Sequence, residues 1–435
     1  MMSRESFANY LSARARSFAL ALVAACLLAA SASAQDQSGE RPNRRAAATT
    51  TLAAPAPPPT GAKFNLDKFE QNIKNALPAD KATGYAYAIN VNGQLKRSGR
   101  GGVAQRAADH KNENGVNVPL LQSQTKRMNI ASVTKTITAA AVLKAIQDKK
   151  VVGHPNLTID SKIDPFLPKS WVRGKGVKDL TFKELLSQYS GMNDNGGGTD
   201  GQALQKWIAD GVTREKSDFV YINGNIAIFR FILPYMVSSE TMRKQFDYVA
   251  PFDIVALNNM VSPEFQRIVR ETIFEPMDIR NVEFKSTDAL PTLLYNSSND
   301  VKGYAVGDWL STGGGGGWFL SAVDLAQFLS HLRYNDKILS PATRQLMNSH
   351  RLGWRPPKEY KSVQGKHGNY LAHGGALKYG NDDALIGMAS GIMDYGDGVQ
   401  AALLINSLGT YGDKIAILRD AYDNAWVVEG IKSQP

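Results

Sequence analysis

The chain has 435 residues, 43% of them hydrophobic and 21% charged, which is the make-up of an ordinary globular protein long enough for a large core or two lobes. Its formal charge of +10 is scattered, with no basic helix and no aromatic-interleaved basic patch, so nucleic acid is not expected as a partner. The histidines show no H-E-x-x-H or other ligand spacing, and neither a metal nor another cofactor is predicted.

Residues 1–34 read as a signal peptide. Arg4, Arg14 and Arg16 precede an apolar run from Phe18 to Ala30, and Ala32-Ser33-Ala34 is an A-x-A cleavage signal. The chain's one cysteine, Cys26, lies in this segment within Val23-Ala24-Ala25-Cys26, a loose lipoprotein box; membrane attachment is expected only if Cys26 is lipidated. Cleavage after Ala34 removes three arginines and one glutamate, lowering the +10 to +8, and leaves no cysteine for a disulfide or a thiol nucleophile. The expected location is the periplasm or the exterior.

Residues 35–63, rich in Ala, Thr and Pro, read as a linker, with one folded domain over residues 64–435. Tyr85 to Val91 is a predicted strand, Asn92-Gly93 a hairpin turn and Gln94 to Arg97 the return. Capping boxes at Thr181–Glu184 and Ser321–Asp324 start two helices. The Gly313–Gly317 run lacks the Lys-Ser/Thr of a phosphate loop and suggests close backbone approach or a tight turn. Ala384 to Met393 and Val399 to Ile405 are further strands, joined around Asp397-Gly398, and a helix is predicted over Asp413 to Val428. Strands at both ends and helices between them predict an α/β (α+β) fold. One antiparallel sheet would be built from both chain ends and flanked by helices, with a mainly helical lobe inserted.

Three stretches carry chemistry. Ser132-Val133-Thr134-Lys135 puts an amine one helical turn after a serine, on the same face. A desolvated amine can take the serine proton, and a helix N-terminus favours the developing negative charge. By spacing alone the serine reads first as a helix cap. Ser123-Gln124-Thr125-Lys126 matches the same pattern, but only Ser132 is followed by an apolar helix. Tyr221 and Asn223, two apart, point to one side of an extended or irregular segment; a phenol near a lysine can act as a base, and an amide can hold a carbonyl. His373-Gly374-Gly375 lies in a predicted strand, where paired glycines suggest close approach of backbone to a ligand or a bend.

In that order, SVTK, YIN and HGG resemble the serine β-lactamase and penicillin-binding-protein superfamily. The closest branch is that of class C β-lactamases, HxG-type D-alanyl-D-alanine carboxypeptidases and related esterases. FKELLSQYSGM, IFEPMDI, GGGGGWFLSAVDLAQF and ALLINS are weaker likenesses to the same family, and together they span about residues 80 to 410. The resemblance implies a β-lactamase/transpeptidase-like fold and a serine hydrolase that works through an acyl-enzyme. It makes Ser132 the nucleophile, Lys135 its proton acceptor and Tyr221 a base acting with Lys135. Asn223, His373, Gly375 and Ala376 become substrate-binding positions, with backbone N–H groups of Ser132 and Ala376 as oxyanion donors. A histidine at 373, where β-lactamases usually carry a lysine, implies an esterase or D-amino-acid peptidase rather than an efficient β-lactamase. The substrate would be a small molecule or peptide, cell-wall fragments included. A penicillin-binding carboxypeptidase or β-lactamase is the alternative, and a non-catalytic envelope protein of the same fold a further one. The chain departs from the family around Asn225-Ile226 and in a long stretch from Val237 to Met260.

Overall fold

The computed structural model describes residues 61–428, apart from 150, 152, 195, 297–301 and 381–384. The signal peptide and most of the linker lie outside the described residues. Strands β1 (Ala62–Phe64), β2 (Gly84–Val91) and β3 (Gln94–Gln105) come from the start of this region. Strands β4 (Leu371–Tyr379), β5 (Ile386–Asp394), β6 (Val399–Ile405) and β7 (Trp426–Val428) come from its end. The long strands form one antiparallel sheet in the order β3-β2-β6-β5-β4, so the two ends of the chain meet at the β2–β6 pair, where Tyr85 faces Ile405. Asn92 and Gly93 take up the positive φ values that the tight hairpin needs.

The sheet is covered on both sides, and the period of two along each strand assigns its residues. On β2, Tyr85, Tyr87 and Ile89 pack with Phe69 and Ile73 of helix α1 (Leu66–Ala76). Ala86 and Ala88 face the other core, shared with the helical lobe between β3 and β4. Helix α2 (Thr134–Gln147) runs through that lobe with nearly every side chain from Thr134 to Leu143 buried. It packs near α3 (Phe229–Val237) and α4 (Ile254–Val269), while α5 (Ala322–Tyr334) lies on β2 and β6. Both predicted capping boxes form, with each side chain and backbone partner in place.

Three expectations are corrected. The return strand runs to Gln105, eight residues past Arg97, because it pairs with β2 as far as the Gly84–Gly102 pair and beyond that with Leu120 and Leu121. The last helix, α6 (Lys414–Asp423), is shorter than predicted: β7 pairs with β1, and Asn65 N–H bonds Ala425 O at 2.9 Å. The two short strands form a two-stranded sheet of their own from positions 362 to 366 residues apart, a pairing that local pattern cannot reveal. The first strand begins at Ala62, inside the predicted linker. The long stretch after Val237 contains a further helix, Glu240–Val249.

In α4, Arg267 grips Glu264 with two hydrogen bonds of 2.8 Å, and Ser238 Oγ donates to the same carboxylate at 2.6 Å. The Arg267 hydrogen bonds hold the Glu264 carboxyl below its usual range, against the opposing effect of burial. A carboxylate with a depressed folded pKa stabilises the protein above its unfolded pKa and loses that contribution as the pH falls through the folded value. Glu264→Gln should therefore destabilise the protein by about 1 kcal/mol at pH 7. Urea titrations of both proteins should converge below the ordinary glutamate pKa. A difference that stays constant across that range would contradict this assignment.

Candidate active site

The site lies where α2 begins beside β4. Ser132 sits in a 3-10 turn, Ala131–Val133, that leads into α2, and it is 7% exposed. Its neighbour Ala131 is buried with φ of +45°, a strained conformation for a residue with a side chain. Two bonds hold that turn: Ala131 N–H to Asn129 Oδ1 at 2.8 Å and Ile130 N–H to Trp318 O at 2.9 Å. Helix α2 takes no side-chain cap at its start, so the cap role is not the one Ser132 plays.

Lys135 is 1% exposed. Its Nζ donates to Ser132 Oγ at 3.0 Å, to Asn223 Oδ1 at 2.7 Å and to Gly315 O at 2.7 Å. It also lies 4.9 Å from the centroid of the Tyr221 ring. Tyr221 and Asn223 thus both reach the amine, as their spacing suggested, while Ile222 between them is buried on the other side. Gln188, itself at φ +68°, shapes this segment. Its Oε1 accepts from Ile222 N–H at 2.9 Å and Asn225 Nδ2 at 2.6 Å, and Ser190 Oγ donates to Asn225 Oδ1 at 2.6 Å.

On β4, His373 and Gly375 share the face turned to α2. The His373 ring lies 6.1 Å from that of Tyr221, and its Nδ1 is 2.9 Å from Gly374 O. A Cβ on Gly375 would sit 2.7 Å from Ser132 N, 2.7 Å from Ile130 O and 2.6 Å from Ser390 Oγ, so only glycine lets the strand pass this close to the nucleophile's backbone. Ala376 follows, buried, in register with Ala389 of β5. Six of the seven residues singled out in the sequence therefore come together around Ser132 and Lys135, with Ala376 following Gly375 on the same strand. The rival Ser123 and Lys126 do not: Ser123 Oγ bonds Thr125 Oγ1, and Lys126 pairs with Asp288.

Two contributors were not foreseen. One is the Gly315 carbonyl, in the glycine run expected to give a close approach or a tight turn. The other is Arg355, 1% exposed, which lines a narrow cavity together with Lys135, Gln188, Tyr221 and His373. Its guanidinium lies 4.5 Å from the centroid of the Tyr360 ring, and its backbone N–H bonds Ala372 O at 2.9 Å. Among the described residues, no group of three or more His, Cys, Asp or Glu side chains is placed to hold a metal ion, and no helix is long and apolar enough to cross a membrane.

A buried lysine on a serine hydroxyl is placed to take the serine's proton and so activate it as a nucleophile. Residues 69–235, which hold Ser132, Lys135, Tyr221 and Asn223, match the family model described as Beta-lactamase. This match supports a place for the chain in the serine β-lactamase and penicillin-binding-protein superfamily. Its fold is similar to that of the octameric penicillin-binding protein homologue from Pyrococcus abyssi (17% identity over 81% of this chain and 76% of that one, TM-score 0.55). It is similar to EstCE1, a hydrolase with promiscuous acyltransferase activity (16%, 82% and 98%, TM-score 0.57). The class C β-lactamase from Rhodobacter sphaeroides is a third such fold (14%, 82% and 98%, TM-score 0.53). No match was found among curated proteins.

Proposed function

We propose that the protein is an exported serine hydrolase that acts through an acyl-Ser132 intermediate on an ester, amide or peptide carbonyl, of the esterase or D-amino-acid peptidase type. The observation that carries this reading is the set of three contacts at Lys135 Nζ. A neutral amine has two N–H bonds and one lone pair. The Asn223 and Gly315 oxygens accept and never donate, so a neutral Lys135 keeps N–H bonds on them and turns its lone pair to Ser132 Oγ, the contact in which the charged form donates.

In the proposed reaction Ser132 Oγ attacks the carbonyl carbon while its proton passes to Lys135. The carbonyl electrons move onto oxygen, where the backbone N–H groups of Ser132 and Ala376 receive the negative charge. When the intermediate collapses, the bond to the leaving group breaks. The leaving group takes the proton from Lys135, with Tyr221 as the partner base. Water then attacks the acyl carbon, gives one proton back through the same base, and Ser132 is released. Asn223 and His373 border the substrate. The export signal at residues 1–34 supports a periplasmic or secreted enzyme, with cell-wall-derived peptides among the candidate substrates.

Intact-mass spectrometry after incubation with ester, D-peptide and β-lactam panels tests this reading. Wild type should gain the mass of one acyl group from an ester or amide, and Ser132→Ala should gain none. A long-lived adduct from penicillin alone would favour the carboxypeptidase alternative. Equal inertness of both proteins, with no uptake of a fluorophosphonate, would leave the non-catalytic reading.

A further inference from the structure

The glycine run has a feature that the proposed reaction does not use. Five successive carbonyls before and within it each accept a hydrogen bond from a different side chain. Ser311 O takes Asn258 Nδ2 at 3.0 Å, and Thr312 O takes Thr199 Oγ1 at 3.0 Å. Gly313 O takes Arg230 Nη1 at 2.6 Å, and Gly314 O takes Thr138 Oγ1 at 2.6 Å. The fifth is Gly315 O, which takes Lys135 Nζ.

Arg230 ties this series together. It is 0% exposed, on α3, and besides Gly313 it donates to Thr199 O at 2.6 Å and to Asn258 Oδ1 at 3.0 and 3.2 Å. One guanidinium thus fixes one carbonyl of the run and also the two residues, Thr199 and Asn258, that fix the carbonyls before it. Its partners are all neutral oxygens. Burial pushes the guanidinium down to about 9, with Asp200 acting in the opposite direction. A buried cation held only by neutral acceptors is costly to keep, and apolar packing would fill the same space more cheaply. What it provides is geometry: its planar fork sets three oxygens at once. The run also has no slack beside Lys135, since a Cβ on Gly315 would meet Asn223 O at 3.1 Å.

We infer that Arg230 is a positioning residue for the Ser132–Lys135 pair, acting through the clamped segment Ser311–Gly315 to hold the Gly315 carbonyl on Lys135 Nζ. The inference rests on the reading of Lys135 as the proton acceptor. By fixing one of the two acceptors that orient the amine, Arg230 sets the direction of the lone pair, although it touches neither the amine nor substrate.

Arg230→Met keeps the bulk of the side chain and removes the fork. It should lower kcat about ten- to hundredfold, as expected for a small misplacement of a reacting group, with KM within about twofold. A crystal structure of the variant should show Lys135 Nζ out of hydrogen-bond reach of Gly315 O. A folded variant with unchanged kcat, or with that contact intact, overturns the inference. So does a loss confined to KM or to the folded fraction. If Arg230→Met fails to fold, Thr138→Val removes the neighbouring anchor at constant volume and should lower kcat about two- to tenfold; no effect there overturns the inference equally. Acyl-adduct formation by wild type separates the two claims. A wild type that acylates no faster than Arg230→Met defeats the inference alone. A wild type that never acylates defeats the reaction, and the crystal structure still decides whether Arg230 holds the carbonyl.

Discussion

Lys135→Met is expected to lower kcat by about a thousandfold while the protein still folds, with single-turnover acylation as the measurement. The substitution keeps the length and most of the volume of the side chain but removes the acceptor for the Ser132 proton. It also leaves Asn223 Oδ1 and Gly315 O without the donor they share in wild type. A buried acceptor that loses its donor costs about 1–3 kcal/mol, so a measurable loss of stability should accompany the loss of rate. The two effects separate by assay: thermal unfolding reads the lost hydrogen bonds, and acylation in the folded protein reads the lost base. Acylation within about tenfold of wild type would mean that Lys135 only fills space and that another group takes the proton.

Gly375→Val is expected to abolish acylation and to destabilise the protein by about 1–3 kcal/mol, as overpacking does. Two of the three atoms a Cβ would meet, Ile130 O and Ser132 N, are backbone atoms of the strained turn that carries the nucleophile. They cannot rotate away, so the strand, the turn or both must move, and with them the N–H groups proposed to receive the oxyanion. Gly374 is the control. A Cβ there meets Lys414 Cε at 2.7 Å and Ile415 Cγ1 at 3.0 Å on the opposite face of the strand, atoms of side chains that can shift. Gly374→Ala should therefore keep most of the acylation rate. Equal loss in both variants would show that the strand, and not its approach to Ser132, is what matters.

Much of this was legible in the sequence because the signals are local. Asn92-Gly93, the two capping boxes and the alternation on β2 depend on residues within a few positions of one another, and each forms as the pattern predicts. The serine–lysine pair is equally local, since one helical turn brings i and i+3 together. Tyr221 and Asn223 were visible by their spacing and by the family resemblance, as were His373 and Gly375. The sequence also predicted one antiparallel sheet built from both chain ends and flanked by helices, because short-turn hairpins imply antiparallel pairing.

Other features were decided only by the tertiary structure. The β1–β7 pair, the Gln188 anchor of the tyrosine segment and the cation at Arg355 join positions from about 35 to 360 residues apart, where no periodicity links them. The Gly315 carbonyl was invisible for a different reason: every residue has a carbonyl, and its direction is a backbone property without a letter in the sequence. Whether Ser132 was a helix cap or faced an amine was likewise open in the sequence, since both uses need the same residue at the same place. The strained turn at Ala131, the glycine strand and the clamped carbonyls fix its surroundings. Sequence pattern sets which side chains share a face; packing from distant segments sets where their atoms point.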